Sequence, residues 1–137
     1  MEKSIYHTEV VNQDGGTGFA YVKNNGLSVQ VSSPLSSEEG SNPEELLGLA
    51  YSTCLNATIQ AVLKEQGKSN LSRVQINVDL IPEEIGYHFN VEALVWIDDL
   101  SIEASQKVAE AADLRCPISK LLAGSETVVM RAVADLE

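Results

Sequence analysis

The stretch Asn42-Pro43-Glu44-Glu45-Leu46-Leu47-Gly48-Leu49-Ala50-Tyr51-Ser52-Thr53-Cys54, continued from Leu55 to Gln66, decides how this chain reads. Asn42 fits a helix N-cap and Pro43 the first helical position, where the missing N–H costs nothing. Glu44 and Glu45 then sit at the positive end of the helix dipole. From Leu46 to Leu63 no residue is charged, and Gly67 is placed to end the helix. The pattern predicts a helix from Pro43 to about Gln66, apolar on most sides and therefore central and enclosed. Ser52, Thr53, Asn56, Thr58 and Gln60 are too many polar groups for a lipid-facing span, so the enclosure is expected to be protein.

The flanks read as strands. Before the helix come Ile5 to Val11, a turn at Asp14-Gly15-Gly16, and Phe19 to Val22. Asn24-Asn25-Gly26 carries an Asn-Gly hairpin signal ahead of the alternating strand Leu27 to Val31. Pro34 to Gly40 is a polar loop. After the helix, Val74-Ile76-Val78-Leu80 and Phe89-Val91-Ala93-Val95-Ile97 alternate with polar residues as half-buried strands do, with Gly86 in the turn between them. Ser101 is placed to cap a second helix ending near Arg115-Cys116-Pro117. A turn from Ile118 to Ala123 and a last strand, Thr127 to Val133, complete the chain. The order βββ-α-ββ-α-β predicts an α+β fold. With no linker in view, residues 1–137 are expected to form a single domain.

Twenty acidic residues against nine basic ones give a net charge of −11. Nucleic acid and anionic membrane both require a basic footprint, so neither is expected as the main partner. Met1-Glu2-Lys3-Ser4-Ile5 opens no apolar run, so no signal peptide is expected and the cytoplasm is the expected compartment. His7 and His88 stand apart without ligand spacing, and no metal site is expected.

The chemistry that remains is thiol chemistry. Cys54 lies within the apolar helix, where a free cysteine packs as a small hydrophobe unless it is given work. Cys116 lies at the expected end of the second helix, beside Arg115. The cation favours a thiolate there and the helix C-terminus opposes it. The two could form a structural disulfide, or act as a nucleophile and the thiol that resolves it. Glu44 has two readings as well, a dipole-satisfying acid or a functional carboxylate.

The segment Asn42 to Cys54 resembles the NPE(Q)L…AGYxxC signature of the OsmC/Ohr family of organic hydroperoxide resistance proteins. Cys116-Pro117-Ile118-Ser119 resembles its second motif, CPxS, in the expected place after the second helix. Gly15-Gly16, Asn25-Gly26 and Ser33-Pro34 match the shorter Ohr-type N-terminus, so the resemblance covers essentially the whole chain. It implies an OsmC-like fold, with antiparallel sheets around a central buried helix and an intertwined homodimer. It makes Cys54 the peroxidatic cysteine, Cys116 the resolving one and Glu44 the carboxylate that holds the active-site arginine. The implied function is a thiol-dependent peroxidase that reduces organic hydroperoxides to alcohols through a Cys54 sulfenic acid, without cofactor. A dithiol such as a lipoylated protein would be the reductant.

The family pattern has an arginine shortly after the paired glycines. Here Gly15-Gly16 leads into Thr17-Gly18-Phe19-Ala20, and the arginines are Arg73, Arg115 and Arg131. Arg115, next to Cys116, is the candidate supporting cation. The alternative implied by the departure is an OsmC-fold protein that binds a hydrophobic ligand or senses redox state, with weak or no peroxidase activity.

Overall fold

A computed structural model describes residues 2–136. The chain forms two compact units, Met1–Pro43 and Glu44–Glu137. The first is a three-stranded antiparallel sheet of β1 (Val10–Asn12), β2 (Gly18–Val22) and β3 (Ser28–Val31) in that order. The first strand is shorter than its sequence predicts, because only Val10 to Asn12 find partners on β2, while Ile5 is fully exposed. The hairpin between β2 and β3 takes its positive φ at Asn24 and Asn25 (64° and 63°), one residue earlier than the Asn-Gly signal suggests. Asparagine tolerates that left-handed backbone better than most side chains. Val22 closes the turn, donating to Leu27 and accepting from Gly26.

The second unit contains the long helix α1 (Pro43–Glu65) and strands β4 (Ser72–Pro82) and β5 (Tyr87–Ile97). Helices α2 (Ile102–Asp113) and α3 (Pro117–Leu122) follow, and then strand β6 (Val128–Ala132). The expected bounds of α1 hold to within a residue. At its C-terminus Gly67 takes φ 72°, the Lys68 N–H reaches the Leu63 carbonyl and the Gly67 N–H reaches that of Lys64. This paired closure satisfies carbonyls that the helix end would otherwise orphan.

The sheet order is β4-β5-β6. β4 and β5 pair antiparallel along their full length through the tight turn at Gly86. β6, in contrast, runs parallel to β5, with Val91 opposite Val128 and Val95 opposite Ala132. The expectation of wholly antiparallel sheets is therefore corrected to one antiparallel and one mixed sheet. The reason is the connection: α2 and α3 carry the chain back across the sheet, as a parallel neighbour requires.

The core lies where α1 and α2 cover this sheet. Val91, Ala93, Val95 and Ile97 alternate inward from β5, meeting Tyr51, Leu55, Ile59, Val62 and Leu63 of α1 and Val108, Ala109 and Ala112 of α2. Polar contacts fix the layers: Ser72 Oγ donates to Asn56 Oδ1 at 2.7 Å, joining β4 to α1, and the Ala132 N–H donates to Gln106 Oε1 at 2.7 Å, joining β6 to α2. The central-helix expectation is met only in part, because α1 buries a single stripe while Leu49 remains 64% exposed. Among the described residues α1 is the one helix long and apolar enough to cross a membrane, and its buried stripe packs on the sheet instead.

Candidate active site

Cys54 lies beside the buried Tyr51–Leu55 stripe of α1 and is partly buried, while Cys116 is fully buried beneath it. Both are free thiols, with the sulfurs 3.4 Å apart and a hydrogen bond running from Cys116 Sγ to Cys54 Sγ. Solvent and a small oxidant can therefore reach Cys54, whereas Cys116 is closed off from solvent.

The backbone explains why Cys116 points at α1. After Asp113 the chain leaves α2 with Arg115 and Cys116 N–H groups both bonded to the Ala112 carbonyl. Pro117 then starts α3 with Cys116 as its N-cap, and the Ser119 N–H donates to Cys116 Sγ at 3.5 Å. The turn expected from Ile118 to Ala123 is thus a short helix. This changes the electrostatics: the sequence places Cys116 at a helix C-terminus, whereas the structure puts it at a helix start, among N–H donors that favour a thiolate.

The two thiols differ accordingly. Burial pushes the Cys54 thiol up, the Ile118 N–H draws it partly back, and the hydrogen bond and charge of Cys116 push it up again. Burial also acts against a Cys116 thiolate. The Ser119 hydroxyl and N–H, the neighbouring Cys54 thiol and the Ile118 N–H together outweigh it, so the Cys116 thiol is lowered.

The remaining expected site residues lie elsewhere. Arg115 turns away from the thiols and grips Glu65 at the end of α1 through two hydrogen bonds, 2.8 Å from Nη1 and 2.9 Å from Nη2. The pairing holds Glu65 below the usual carboxylate range. The guanidinium thus ties the α2–α3 junction to α1 instead of supporting either sulfur. Glu44 lines an open groove with Glu45, Gly48, Leu49, Ser52, Val74, Ile76 and Val78. α1 is unbroken from Pro43 to Glu65, so Glu44 and Cys54 are separated by about 15 Å of helix rise and roughly 80° around the axis. No glutamate side chain spans that, and the two are not brought together within one chain.

Two side chains near the sulfurs are not among the expected site residues. Ser119 is buried, with its hydroxyl lacking a protein partner of good geometry, and Tyr51 is 1% exposed one turn before Cys54. The signal for Ser119 is its place three residues after Cys116, where a helix start turns it back toward the cap. No group of three or more acidic, histidine or cysteine side chains converges as a metal site among the described residues.

Comparison with known proteins gives this geometry its relatives. Residues 36–131 match the family described as "OsmC-like protein". An organic hydroperoxide resistance protein-like 2 of Staphylococcus epidermidis is 26% identical over 98% of this chain and 100% of its own length. The organic hydroperoxide resistance protein OhrB of Bacillus subtilis is 28% identical over 91% of this chain and 96% of its own. Among solved structures, a putative redox protein from Lactobacillus casei superposes with TM-score 0.93 at 37% identity, covering 98% of this chain and 95% of that one. The structure of OhrB from Bacillus subtilis superposes at TM-score 0.86 and 26% identity, covering 95% and 100%.

Proposed function

Because the chain belongs to the OsmC-like family, we propose that it is a two-cysteine peroxidase acting on organic hydroperoxides, with residues 1–137 working as one OsmC/Ohr-like domain. The observation that carries this reading is the 3.4 Å approach of an accessible Cys54 to a buried Cys116. Names given to the Staphylococcus and Bacillus relatives support the substrate class.

In this mechanism the Cys54 thiolate attacks the distal oxygen of the hydroperoxide. An S–O bond forms, the O–O bond breaks, and the alkoxide leaves as an alcohol after taking a proton. Cys54 is left as a sulfenic acid. Cys116 then attacks the oxidised sulfur and expels hydroxide as water, forming a disulfide. The sulfurs must close from 3.4 Å to about 2.05 Å, a movement of side chains rather than of elements. A dithiol, such as a lipoylated protein, restores both thiols by exchange. Arg115, held by Glu65, is not assigned to this chemistry.

The proposal includes a homodimer. Glu44 cannot reach Cys54 of its own chain, so a role for this carboxylate requires it to act on the partner subunit's Cys54. The apolar wall of Leu49, Val74, Ile76 and Val78 beside Glu44 is the surface a second copy would cover. The same proposal places the chain in the cytoplasm, whose reducing environment would keep both thiols available between turnovers.

A second reading is favoured by the occupied Arg115: a redox-sensing or ligand-binding protein whose thiols oxidise slowly. Turnover of cumene hydroperoxide with a dithiol reductant separates the two. Sustained turnover lost in Cys54→Ser supports the peroxidase. A single slow oxidation per chain, without turnover, supports the sensor.

A further inference from the structure

Two thiols whose sulfurs lie 3.4 Å apart also present two soft donors at a fixed spacing. Cys54 is carried on the 23-residue helix α1 and Cys116 caps α3, so both sulfurs are placed by helices. The Ser119 N–H, 3.5 Å from Cys116 Sγ, helps to fix the second donor. The chain has two cysteines, so a ligand held here receives two sulfurs from it and no more.

The spacing restricts what the pair can hold. Bonds of about 2.3 Å from one centre to two sulfurs, at angles between a right angle and the tetrahedral one, place the sulfurs about 3.3–3.8 Å apart. A centre that binds its two sulfurs in a straight line needs about 4.6 Å with the same bonds. The observed 3.4 Å therefore suits a bent centre and not a linear one. A structural zinc site wants four protein ligands. Among the described residues no three acidic, histidine or cysteine side chains converge, so the pair falls short of such a site. The centre that fits is thiophilic, three-bonded and pyramidal, taking two sulfurs and bringing its third substituent with it.

We propose that the reduced Cys54–Cys116 pair is a capture site for monosubstituted trivalent arsenicals, the organic arsonous acids R–As(OH)2. Each thiol gives its proton to one hydroxide of the acid, each hydroxide leaves arsenic as water, and two S–As bonds form. Arsenic stays trivalent and neither sulfur is oxidised, so no oxidant or reductant takes part. Cys54, partly open to solvent, bonds first, and the buried Cys116 then closes the ring without a second encounter. The arsenic sits off the line between the sulfurs, with its organic group on the open Cys54 side. Donors already in place lose little freedom on ring closure, which is why the pair outbinds a single thiol. The acid is neutral, so the net charge of −11 does not repel it as it would an anion. The capture needs no peroxide, and it stands apart from the peroxidase reading.

The probe is phenylarsine oxide, which hydrates in water to such an acid. Added to the reduced chain, it should leave one phenylarsenic group per chain by intact mass. Peptide mapping should find that group joining the Cys54 peptide to the Cys116 peptide. Excess mercaptoethanol, a monothiol, should leave the adduct in place, and dithiothreitol should remove it. In Cys54→Ser and in Cys116→Ser the affinity should fall roughly a hundredfold or more, the low end of what joining two binding events contributes. Mercaptoethanol should strip whatever those variants hold, and circular dichroism checks that each is folded. If a variant does not fold, the peptide map of the unaltered chain decides. An adduct confined to one cysteine, one that mercaptoethanol strips from the unaltered chain, or one arsenic linking two chains would overturn the proposal. So would the absence of any adduct.

Discussion

Cys116 Sγ lies 3.4 Å from Cys54 Sγ, yet the two thiols belong to different environments. Cys54 is carried mid-helix on α1, pushed up by burial and by its neighbour, and open to solvent in part. Cys116 caps α3, enclosed but ringed by hydrogen-bond donors that draw it down. Accessibility and acidity are thus divided between them. The sulfur that an oxidant can reach is the less acidic one, and the more acidic one is buried against it.

One equivalent of organic hydroperoxide should therefore convert the reduced chain to an intramolecular 54–116 disulfide, seen by mass spectrometry of unreduced peptides. In Cys116→Ser the sulfenic acid has no resolving thiol and should advance to sulfinic acid with excess peroxide. Cys54→Ser should leave Cys116 unoxidised over the same interval, because its burial is retained. Rapid oxidation of Cys116 in that variant would reverse the assignment.

The pH dependence follows from the direction of the Cys54 shift. A thiol raised above its ordinary value is mostly protonated at pH 7, so the rate of Cys54 oxidation should climb about tenfold per pH unit until the thiolate is fully formed. Cys116→Ser removes the neighbouring charge that helps to raise Cys54. Its rate profile, followed by loss of free thiol, should move to lower pH. A move to higher pH would show that the Cys116 thiol stabilises the Cys54 thiolate instead of opposing it.

Much of this site is legible in the sequence, and the exceptions have physical causes. Pro43 and Gly67 bracket α1 because each imposes a local backbone geometry, and the alternation in β5 reports a buried face directly. Cys116 is harder. Its motif marks it for chemistry, but a six-residue helix has too little periodicity to reveal that the chain restarts at Pro117 and makes Cys116 a cap. The parallel placement of β6 depends on where the α2–α3 connection lands, which no local pattern encodes. Arg115 shows the same limit: beside Cys116 in sequence, it is claimed by Glu65, 50 residues away.

Arg115→Ala should therefore leave the Cys54 thiolate titration unchanged, since Arg115 contributes nothing to the causes that shift it. Both Arg115 and Glu65 are exposed, so thermal stability should change little, and less still at high salt. Ultraviolet titration of the thiolate and a melting curve check both halves. A rise in the Cys54 pKa with a tenfold slower oxidation would restore Arg115 as the supporting cation.

The two faces of α1 make opposite demands on a mutation. Ile59 is fully buried against the sheet, so Ile59→Ala should cost about 2–5 kcal/mol of folding stability, measured by denaturant unfolding. Leu49 is 64% exposed and lines the groove with Val74, Ile76 and Val78, so within one chain its loss removes little burial. If a second copy covers that groove, Leu49→Glu places a charge in the interface and should shift sedimentation at micromolar concentration from dimer toward monomer. Helical content by circular dichroism should stay as it was, showing that the chain itself still folds. Peroxide turnover should fall with the dimer if, as proposed, Glu44 acts on the partner subunit's Cys54. A protein that sediments as a monomer before any substitution would remove Glu44 from the mechanism and leave the groove with no partner copy.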